Sequence, residues 1–566
     1  MFSAISSAYK KKSVHQTHRI VVLSILSLAF MACSTTSQHL KEEGRKNDTR
    51  LYPNAVDFSH AGVNYSESAI PTSNLPIFSV SDYGAIPNDD VEDRDAIQQT
   101  IDAAEKNNGG IVYFPPGKYL VNEQENRRFG LRISSSKIVL RGSGLGNGEN
   151  GLSTQLFMKY PLAPQDPNKL WTVPSMITFL PKGEAHPTSN IKKRDYVFKT
   201  LVTANAKFGD LAIVVSDTSG LNAGDVITLE MENVEANKEF LQGKTPRDIW
   251  KRINTQGVMV SESHEILKVS GKRITLKKPL LTNINSQYGW AVGKTNMIKN
   301  VGIENLHFIG NFKEEFEHHK NAIHDSGYSA IKLSKTRHSW AKNLRFSDIS
   351  GAVTITGGIA NSILLNVIDG NRGHNTFNVT FGTRNLVGLN LDVTNKGQWH
   401  GPSVSHLSVG TVVWHFNSPT SRGFDTHSVY PRHTLFDQIE SYGFGGWGGN
   451  YTTLPNHLGG LVVWNFTQTG EKVGEWFDGT LDFWKIPTQV ENRYGFLTAV
   501  NPIIVGYKGN IENVNENNVE YVDSLGEHVQ PPSLYEAQLE KRLGTRPTWI
   551  GQLLNEWETF KAYYLP

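Results

Sequence analysis

The chain has 566 residues, far more than one hydrophobic core requires, so it is either several globular domains or one solenoid of stacked repeats. Its 56 basic and 54 acidic residues give a net charge of +2, which argues against nucleic acid as a partner. The 12 tryptophans and 19 tyrosines suit a surface that stacks on sugars, although most aromatic side chains in any protein belong to its core.

Residues 1–33 predict an export signal. A basic stretch that ends at Arg19 precedes an apolar run at residues 20–31, which is too short to span a bilayer. Cys33, the only cysteine, follows this run and resembles the lipidated cysteine of a bacterial lipoprotein. The resemblance implies a lipid anchor, and the following Ser34 implies the outer membrane; the alternative is an ordinary signal peptide with an incidental cysteine. Residues 34–76 are interpreted as a tether and lead-in because their first part is polar.

The folded part is predicted to open with a short helix at residues 93–104. Four residues at helical spacing, Ile97, Thr100, Ile101 and Ala104, give this segment one apolar face, and Asp93 or Asp95 can cap its first amides. A stacked solenoid needs such a cap, because its first coil would otherwise expose apolar core and an unpaired strand edge.

The motifs around this helix resemble the N-terminal part of pectate-lyase-superfamily proteins, over about residues 77–145. They are an Asp-Tyr-Gly-Ala turn at 82–85, a Gly-Gly strand running into Phe-Pro-Pro-Gly at 109–117, and a strand with a Gly-Ser-Gly turn at 138–144. The resemblance implies an all-β fold, a single-stranded right-handed parallel β-helix, assigned here to residues 77–545. The family contains polysaccharide lyases, glycoside hydrolases, epimerases and phage tailspikes, so it implies a fold more strongly than a reaction.

Residues 198–282 interrupt this pattern. Short alternating apolar segments joined by Gly-Asp turns predict hairpins with one buried face, and we interpret them as an inserted β subdomain.

A repeat begins after residue 300. Seven segments share an order of apolar or aromatic, polar and apolar residue, which Asp437 breaks at the first position of one segment. Their middle residues are separated by 38, 21, 24, 25, 23 and 27 residues, consistent with one coil per step. Because side chains alternate along a strand, the middle residues are predicted to form an outward polar stripe and a saccharide groove. They are His307, Arg345, Asn366, Asn390, His415, Gln438 and Asn465.

A dense cluster of histidine, arginine and aromatic residues between 369 and 465 suits β-elimination on a uronic-acid polymer, because residues one coil apart become neighbours. A lyase must neutralise the sugar carboxylate, remove the C5 proton and protonate the leaving oxygen. The candidates for neutralising the carboxylate are Arg372 and Arg432. The candidates for the base are His374, His400 and His427, and the candidate for the acid is Tyr430. The candidate substrate-binding residues are Arg345, Trp399, Trp414, His415, His433 and Trp464.

Hydrolysis is the first alternative, since it needs two carboxylates across the glycosidic bond. The chain supplies candidates but lacks the paired-Asp and Gly-His-Gly motifs of polygalacturonase-type hydrolases; the nearest fragment is Gly373-His374-Asn375. The carboxylate candidates are Asp348, Asp369, Asp392, Asp425 and Asp437.

Metal binding is weakly indicated. His318-His319 and His324-Asp325 offer ligands without a recognised spacing, and the acidic residues near Asp89 are explained by the cap motif. No cofactor is therefore expected, with Ca²⁺ as the alternative.

The region from about 300 to 545 resembles an uncharacterised C-terminal domain family that follows pectate-lyase-like caps in polysaccharide-utilising bacteria. Its last part, residues 533–543, predicts a helix that closes the solenoid, and residues 546–566 are interpreted as a tail.

Together these features favour an extracellular, outer-membrane-anchored polysaccharide lyase for a uronate polymer of the pectin, alginate or ulvan kind. The second alternative is a surface lipoprotein that binds glycans without catalysis. The expected partners are the polysaccharide and, through the lipid alone, the membrane; the chain is expected to be a monomer.

Overall fold

The computed structural model describes residues 56–72, 74–146, 152–188, 190–191, 194, 196–446, 448–470, 480–484 and 498–565. The predicted signal, the lipidation candidate Cys33 and most of the predicted tether lie outside these residues. Among the described helices, none is long and apolar enough to cross a membrane.

The central coils of the solenoid carry three β-segments on three faces. The strand Gly302–Ile309 supplies two of them, because its first half pairs in parallel with Ile138–Arg141 and its second half with Thr154–Met158. Between the halves, Asn305 has a φ of 58°, the left-handed conformation that turns the chain from the first face to the second. The strand Ser329–Ser334 then forms the third face. The predicted right-handed parallel β-helix is confirmed.

The first and second faces form one hydrogen-bonded sheet. Its strands are Ile77–Ser79, Gly110–Tyr113, Gly117–Asn122, Ile138–Arg141, Thr154–Met158, Gly302–Ile309, Trp340–Ser347, Ser362–Asp369, Leu386–Asp392, Val409–Arg422, Arg432–Asp437, Glu440–Gly443, Leu461–Trp464, Thr467–Gln468, Ile503–Val505 and Tyr521–Asp523. The third face consists of Leu131–Ile133, Ile177–Phe179, Ser329–Ser334, Gly351–Thr356, Asn375–Thr380, Ser403–Ser405 and Asp425–Thr426. Two short parallel pairs join Ile298–Lys299 to Thr336–Arg337 and Thr480–Leu481 to Asn513–Val514.

Helices are few in the described chain. The α-helices are Arg94–Lys106, Asn237–Phe240, Lys251–Thr255, Leu534–Leu543 and Thr548–Tyr564. Single turns of 3₁₀-helix occupy Val63–Ser66, Val80–Tyr83, Leu170–Thr172, Ser286–Tyr288, Tyr451–Thr453 and Glu516–Asn518, and a π-turn occupies Ile323–Gly327.

Asparagines stacked on successive coils satisfy the backbone at the bends inside the solenoid. Asn366 is fully buried; its Oδ1 accepts from the Leu344 amide, and its own amide donates to Oδ1 of Asn390. A second ladder repeats the pattern, since the amide of Asn361 donates to Oδ1 of Asn385. Buried bend amides that the β-ladder leaves unpaired would otherwise cost about 1–3 kcal/mol each.

The seven middle residues of the repeat do not form one outward-facing stripe, so that prediction is wrong. The left-handed bend residues are Asn305, Asn343, Leu365, Leu389, His415, Gln438 and Asn465. His307 and Arg345 therefore lie two residues after a bend, whereas Asn366 and Asn390 lie one residue after it and point inward. Three of the proposed stripe residues, His415, Gln438 and Asn465, are themselves bends. The apolar-polar-apolar pattern did not distinguish these positions because leucine occupies the bend in two coils.

The N-terminal capping helix is confirmed at Arg94–Lys106, with Ile97, Thr100, Ile101 and Ala104 buried. Asp93 precedes it but does not cap its amides with its side chain. The carboxylate accepts instead from the amides of Ile86 and Leu120, at 2.8 and 3.0 Å, which ties the helix start to the first coil. Burial raises the pKa of Asp93 to about 6.

The inserted β subdomain is confirmed and continues past residue 282 to Thr295. Its six antiparallel strands run in the order Lys199–Leu201, Ala291–Thr295, Val226–Asn233, Val258–Ser270, Arg273–Leu276 and Ala212–Val214. The insertion has a core of its own around Trp250 and Trp290, and this core continues into the solenoid residues Leu407, Val429 and Tyr430.

A buried ion pair fastens the insertion to the solenoid. Nη2 of Arg432 donates to Glu262 at 2.9 Å, and Nη1 donates to the carbonyl of Leu281 at 2.9 Å. His264 lies 3.0 Å from the same carboxylate. Burial alone would raise the pKa of Glu262, but the hydrogen bond from His264 and the charge of Arg432 bring it down to about 2.

Both ends of the described chain lie along the outside of the first face. The predicted helix at 533–543 forms at Leu534–Leu543, with Ser533 accepting from the Glu536 amide as its cap. Gln538 of this helix bonds the backbone of Phe58 and Val56, so it covers a side of the solenoid. The segment after 546, predicted as a tail, forms the helix Thr548–Tyr564, because its buried Ile550, Leu553, Trp557 and Phe560 recur at helical spacing.

The asparagine ladder predicts a specific stability loss. Asn366→Ala leaves the Leu344 amide and the Ala341 carbonyl without their side-chain partners, and we expect the free energy of unfolding to fall by about 2–4 kcal/mol. Chemical denaturation measures this loss. The matched control Asn555→Ala, on the exposed side of the last helix, should change stability by less than about 0.5 kcal/mol; equal effects of the two variants would contradict the ladder's role.

The interface ion pair predicts a second loss. Arg432→Ala leaves Glu262 buried without its cation, and we expect a destabilisation of about 3–5 kcal/mol in a denaturant or thermal melt. The exposed pair of Lys396 with Glu315 is the control, since Lys396→Ala should cost about 1 kcal/mol or less. A double variant that also carries Glu262→Ala should lose less than the sum of the single losses; strict additivity would show that the two groups are not coupled.

Candidate functional site

Three of the predicted catalytic residues meet at one place. The ring centroids of His374 and His400 are 5.0 Å apart, and those of His400 and His427 are also 5.0 Å apart. On successive coils, His374 directly precedes the third-face strand Asn375–Thr380, His400 lies shortly before Ser403–Ser405, and His427 directly follows Asp425–Thr426. The stacking of coils therefore converts a separation of one coil in sequence into direct contact.

A long segment between the second and third faces completes the cluster. Residues 310–328 contribute His318, whose ring centroid lies 5.2 Å from that of His374 and 5.6 Å from that of His400. Phe316 of the same segment stacks on His374 at 5.8 Å. This segment accounts for the 38-residue step between His307 and Arg345 in the sequence repeat. We call the group His318, His374, His400, Asp425 and His427 the histidine cluster.

Hydrogen bonds fix the tautomers of the cluster. Nδ1 of His374 lies 2.9 Å from the carbonyl oxygen of Asp325, which can only accept, so this nitrogen carries the proton. Nδ1 of His400 and Nδ1 of His427 lie 2.9 and 3.0 Å from the same carboxylate oxygen of Asp425. In the neutral rings, Nε2 therefore bears the lone pair.

Burial sets the electrostatics of the cluster. Burial first, and the nearby His400 second, hold the pKa of His374 well below its usual value. Burial alone would raise the pKa of Asp425, but the charges of His400 and His427 hold it well below the usual range. Burial would lower the pKa of His427, yet the Asp425 charge and hydrogen bond outweigh it and raise that pKa. Burial and the neighbouring His319 lower the pKa of His318 to about 3.

A cationic and aromatic patch borders the cluster. The guanidinium of Arg372 lies over the ring of Trp399, 5.1 Å from its centroid, and Trp399 stacks on His318 at 4.9 Å. Burial lowers the pKa of Arg372, and the charge of Arg422 lowers it further, while Asp392 acts in the opposite direction. Arg372 and Trp399 are half-buried, so the patch remains partly open to solvent.

The structure does not bring Tyr430, Arg432 and His433 into this site. Tyr430 is 1% exposed and belongs to the core shared with the insertion, and Arg432 is held by Glu262. His433 packs edge-on against Phe208 of the insertion at 5.8 Å. We therefore remove these three residues from the candidate site, because the insertion covers them.

The remaining predicted sugar-binding residues lie on the first and second faces, where other parts of the chain engage them. Trp414 donates its indole N–H to Glu536, which His415 also contacts. Trp464 donates to the carbonyl of Pro531. Arg345 pairs with Asp369 at 2.7 Å and lies near the ring of Tyr564. The saccharide groove predicted for this side is therefore wrong. The C-terminal segment packs against these side chains and occupies the surface instead.

Sequence reasoning missed the role of two residues in the cluster. The sequence gives Asp425 as a hydrolase carboxylate and His318 as a metal ligand without a recognised spacing, and it predicts neither beside the catalytic candidates. The Asp-Thr-His order at 425–427 was the available signal for Asp425, since residues i and i+2 of an extended segment share one face. The described cluster also contains two ligand sets, His318 with His374 and His400, and His400 with Asp425 and His427.

Two family models match parts of the chain. Residues 77–163 match the family described as rhamnogalacturonase A/epimerase, pectate lyase-like, and residues 397–553 match a domain of unknown function, DUF4955. The first match confirms the N-terminal resemblance. The second confirms a C-terminal family, over a range that starts later than the expected residue 300.

Curated relatives match over short segments. Alginate lyase 7 of Azotobacter vinelandii is 41% identical over 69 residues, 12% of this chain and 8% of that protein. Mannuronan C5-epimerase AlgE6 of the same organism is 39% identical over 69 residues, again 12% of this chain and 8% of the relative. The chain therefore spans less than a tenth of the length of either protein.

Among solved structures, the tailspike protein gp49 of Pseudomonas phage LKA1 aligns with 79% of this chain and 71% of its own, at 11% identity and a TM-score of 0.40. The parallel strand order of this chain shows a parallel β-helix protein, and its residues 77–163 match a pectate-lyase-like family.

Proposed function

We propose that this chain is an extracellular polysaccharide lyase that cleaves a uronic-acid-containing polymer of the pectin, alginate or ulvan type by β-elimination at the histidine cluster. The observation that carries the proposal is the shared Asp425 carboxylate, which orients two imidazoles beside a half-open cationic and aromatic patch. The names of the relatives, an alginate lyase and mannuronan C5-epimerases, support a uronate substrate. The export signal and the Cys33 lipid anchor predicted from the sequence belong to the same proposal.

In this mechanism His427 is the base that removes the C5 proton. Its side chain is 33% exposed, more than that of His400 at 8%, so a polymer can reach it. Asp425 accepts from Nδ1 of His427, which leaves the Nε2 lone pair to accept the proton and stabilises the imidazolium that forms. That imidazolium is then a proton source for the leaving oxygen, a role for which Tyr430 is too deeply buried.

Arg372 is the group that neutralises the sugar carboxylate. Without neutralisation, the negative charge on the carboxylate opposes formation of the carbanion at C5. The guanidinium is partly desolvated and lies over the ring of Trp399, so it can offer a bidentate contact at little entropic cost. Trp399 also presents part of its ring for stacking on a sugar.

The cluster fits elimination better than hydrolysis. A hydrolase needs an acid and a base or nucleophile on opposite sides of the bond, both accessible to the sugar. Asp425 is 1% exposed and contacts two histidines, and the carboxylate of Asp325 is bound by His319 at 2.8 Å. Neither carboxylate has the exposure that such a role requires.

Epimerisation at C5 is the second candidate, because the mannuronan C5-epimerase relatives favour it and it begins with the same proton removal. It differs in that the proton returns to the opposite face of the sugar without cleavage. Incubation with pectate, alginate, ulvan and chondroitin separates the outcomes. A rise in ultraviolet absorbance from the unsaturated product identifies elimination, and an altered uronate composition without shortening identifies epimerisation. New reducing ends without absorbance identify hydrolysis, and binding with no chemical change overturns the proposal.

The base assignment predicts that His427→Ala lowers kcat/KM at least about 100-fold, since general-base catalysis contributes about 10² to 10⁴. Initial rates of product formation on the substrate found above measure the loss. The control is His528→Ala, an exposed histidine that contacts Thr467 outside the cluster, and it should keep wild-type rates. Equal activity of the two variants would remove His427 from the mechanism.

The carboxylate-binding role predicts a different pattern for Arg372. Arg372→Ala should lower kcat and kcat/KM by about 10- to 100-fold on the uronate polymer, because the lost contact strengthens as charge develops. Arg372→Lys should restore part of the rate, since it keeps the charge without the planar fork. If a methyl-esterified substrate lost activity in Arg372→Ala by the same factor as the free acid, the guanidinium would not act on the carboxylate.

A further inference from the structure

The inner part of the histidine cluster has ring nitrogens that the described protein leaves without hydrogen-bond partners. Nε2 of His318 and Nε2 of His374 are both buried and neither has a partner among the described residues. The third ring, His400, uses Nδ1 for Asp425, so its Nε2 is the nitrogen that remains. A buried lone pair with no donor facing it is costly unless a ligand occupies the site.

The three imidazole rings converge. One ligand nitrogen from each of His318, His374 and His400 lies within 4.8 Å of the other two. A triangle of that side puts each nitrogen at most about 2.8 Å from the centre, whereas Zn–N distances are about 2.0–2.1 Å. The rings thus need to approach a central ion by less than about 1 Å, and His318 is on a loop that can supply the movement.

The outer contacts of the rings match those that orient metal-binding histidines. In metal sites the second imidazole nitrogen characteristically donates to a carboxylate or to a backbone carbonyl, which fixes the tautomer and the direction of the ring. His400 donates to the carboxylate of Asp425, and His374 donates to the carbonyl of Asp325. Asp425 belongs to the third-face strand Asp425–Thr426, and Asp325 to the turn Ile323–Gly327, where it is buried, so two of the three ligands are preorganised.

We propose that His318, His374 and His400 form a binding site for one divalent transition-metal ion, of which Zn²⁺ is the type, through their Nε2 atoms. Imidazole nitrogen is a preferred ligand of Zn²⁺ and of Co²⁺, whereas Ca²⁺ prefers oxygen ligands, so the donor set selects against the Ca²⁺ considered from the sequence. Three protein ligands leave a fourth position open. His427, whose ring lies 5.0 Å from that of His400, borders the site and stays outside the ligand set.

The metal site does not depend on the proposed lyase reaction, because binding is measurable without a polysaccharide. If the proposed function also holds, the open position lies close to Arg372 and Trp399, where a sugar carboxylate oxygen can reach it; that part of the inference rests on the proposed function. The metal and Arg372 would then share the neutralisation of one carboxylate.

The experiment titrates the purified, chelator-treated protein with Zn²⁺ by calorimetry and with Co²⁺ by visible absorption. We expect one ion per chain, a Co²⁺ spectrum of low-symmetry four-coordination, and no competition from Ca²⁺. His374→Ala and His318→Ala should each weaken binding at least about 100-fold, and Asp425→Asn by about 10- to 100-fold through its effect on His400. His528→Ala is the control and should bind as the wild type does.

Far-ultraviolet circular dichroism monitors the folding of each variant separately. If His374→Ala unfolds, His318→Ala still tests the site, because His318 is a half-exposed loop residue. A wild-type protein that binds neither Zn²⁺ nor Co²⁺, or folded His318→Ala that binds both ions unchanged, overturns the inference. Metal binding without any polysaccharide chemistry would overturn the proposed function and leave the metal site standing. β-Elimination by a chelator-treated protein that binds neither ion would overturn the metal site and leave the proposed function standing.

Discussion

Parallel hydrogen bonding between successive coils is the constraint on which the rest of this structure depends. Each strand satisfies its backbone only through the coil before it and the coil after it, so no coil is stable alone. A left-handed bend recurs in seven successive coils, and buried asparagines accept hydrogen bonds from amides beside the bend. The capping helix Arg94–Lys106 closes the N-terminal end, where this pairing stops.

The candidate site follows directly from that stacking. Coils align equivalent positions, so a histidine before one third-face strand stands beside the histidine before the next. The third-face strands and the residues next to them supply His374, His400 and Asp425, while the segment at 310–328 supplies His318. The site thus combines positions set by the solenoid with one carried on a connecting loop, an arrangement common in binding sites.

The other outer surfaces of the solenoid are used for packing. The insertion between Lys199 and Thr295 rests on the corner around Tyr430 and Arg432, and the C-terminal helices rest on the first face together with residues 56–70. Both additions bury polar residues in ion pairs and hydrogen bonds, such as Arg432 with Glu262 and Trp414 with Glu536. In this chain, polar outer residues such as Arg432 and His415 are thus contact points for other parts of the same chain.

The sequence by itself determined the solenoid, its capping helix, the inserted subdomain and the grouping of His374, His400 and His427, because periodicity and local spacing depend only on neighbours along the chain. It did not distinguish Asn366, which points inward, from Arg345, which points outward, since one left-handed residue changes the direction of every side chain after it. Nor did it reveal that Tyr430, Arg432 and Trp464 are covered while His318 joins the cluster. Those outcomes depend on where the insertion, the loop at 310–328 and the C-terminal segment pack, and long-range packing is a property of the folded chain as a whole.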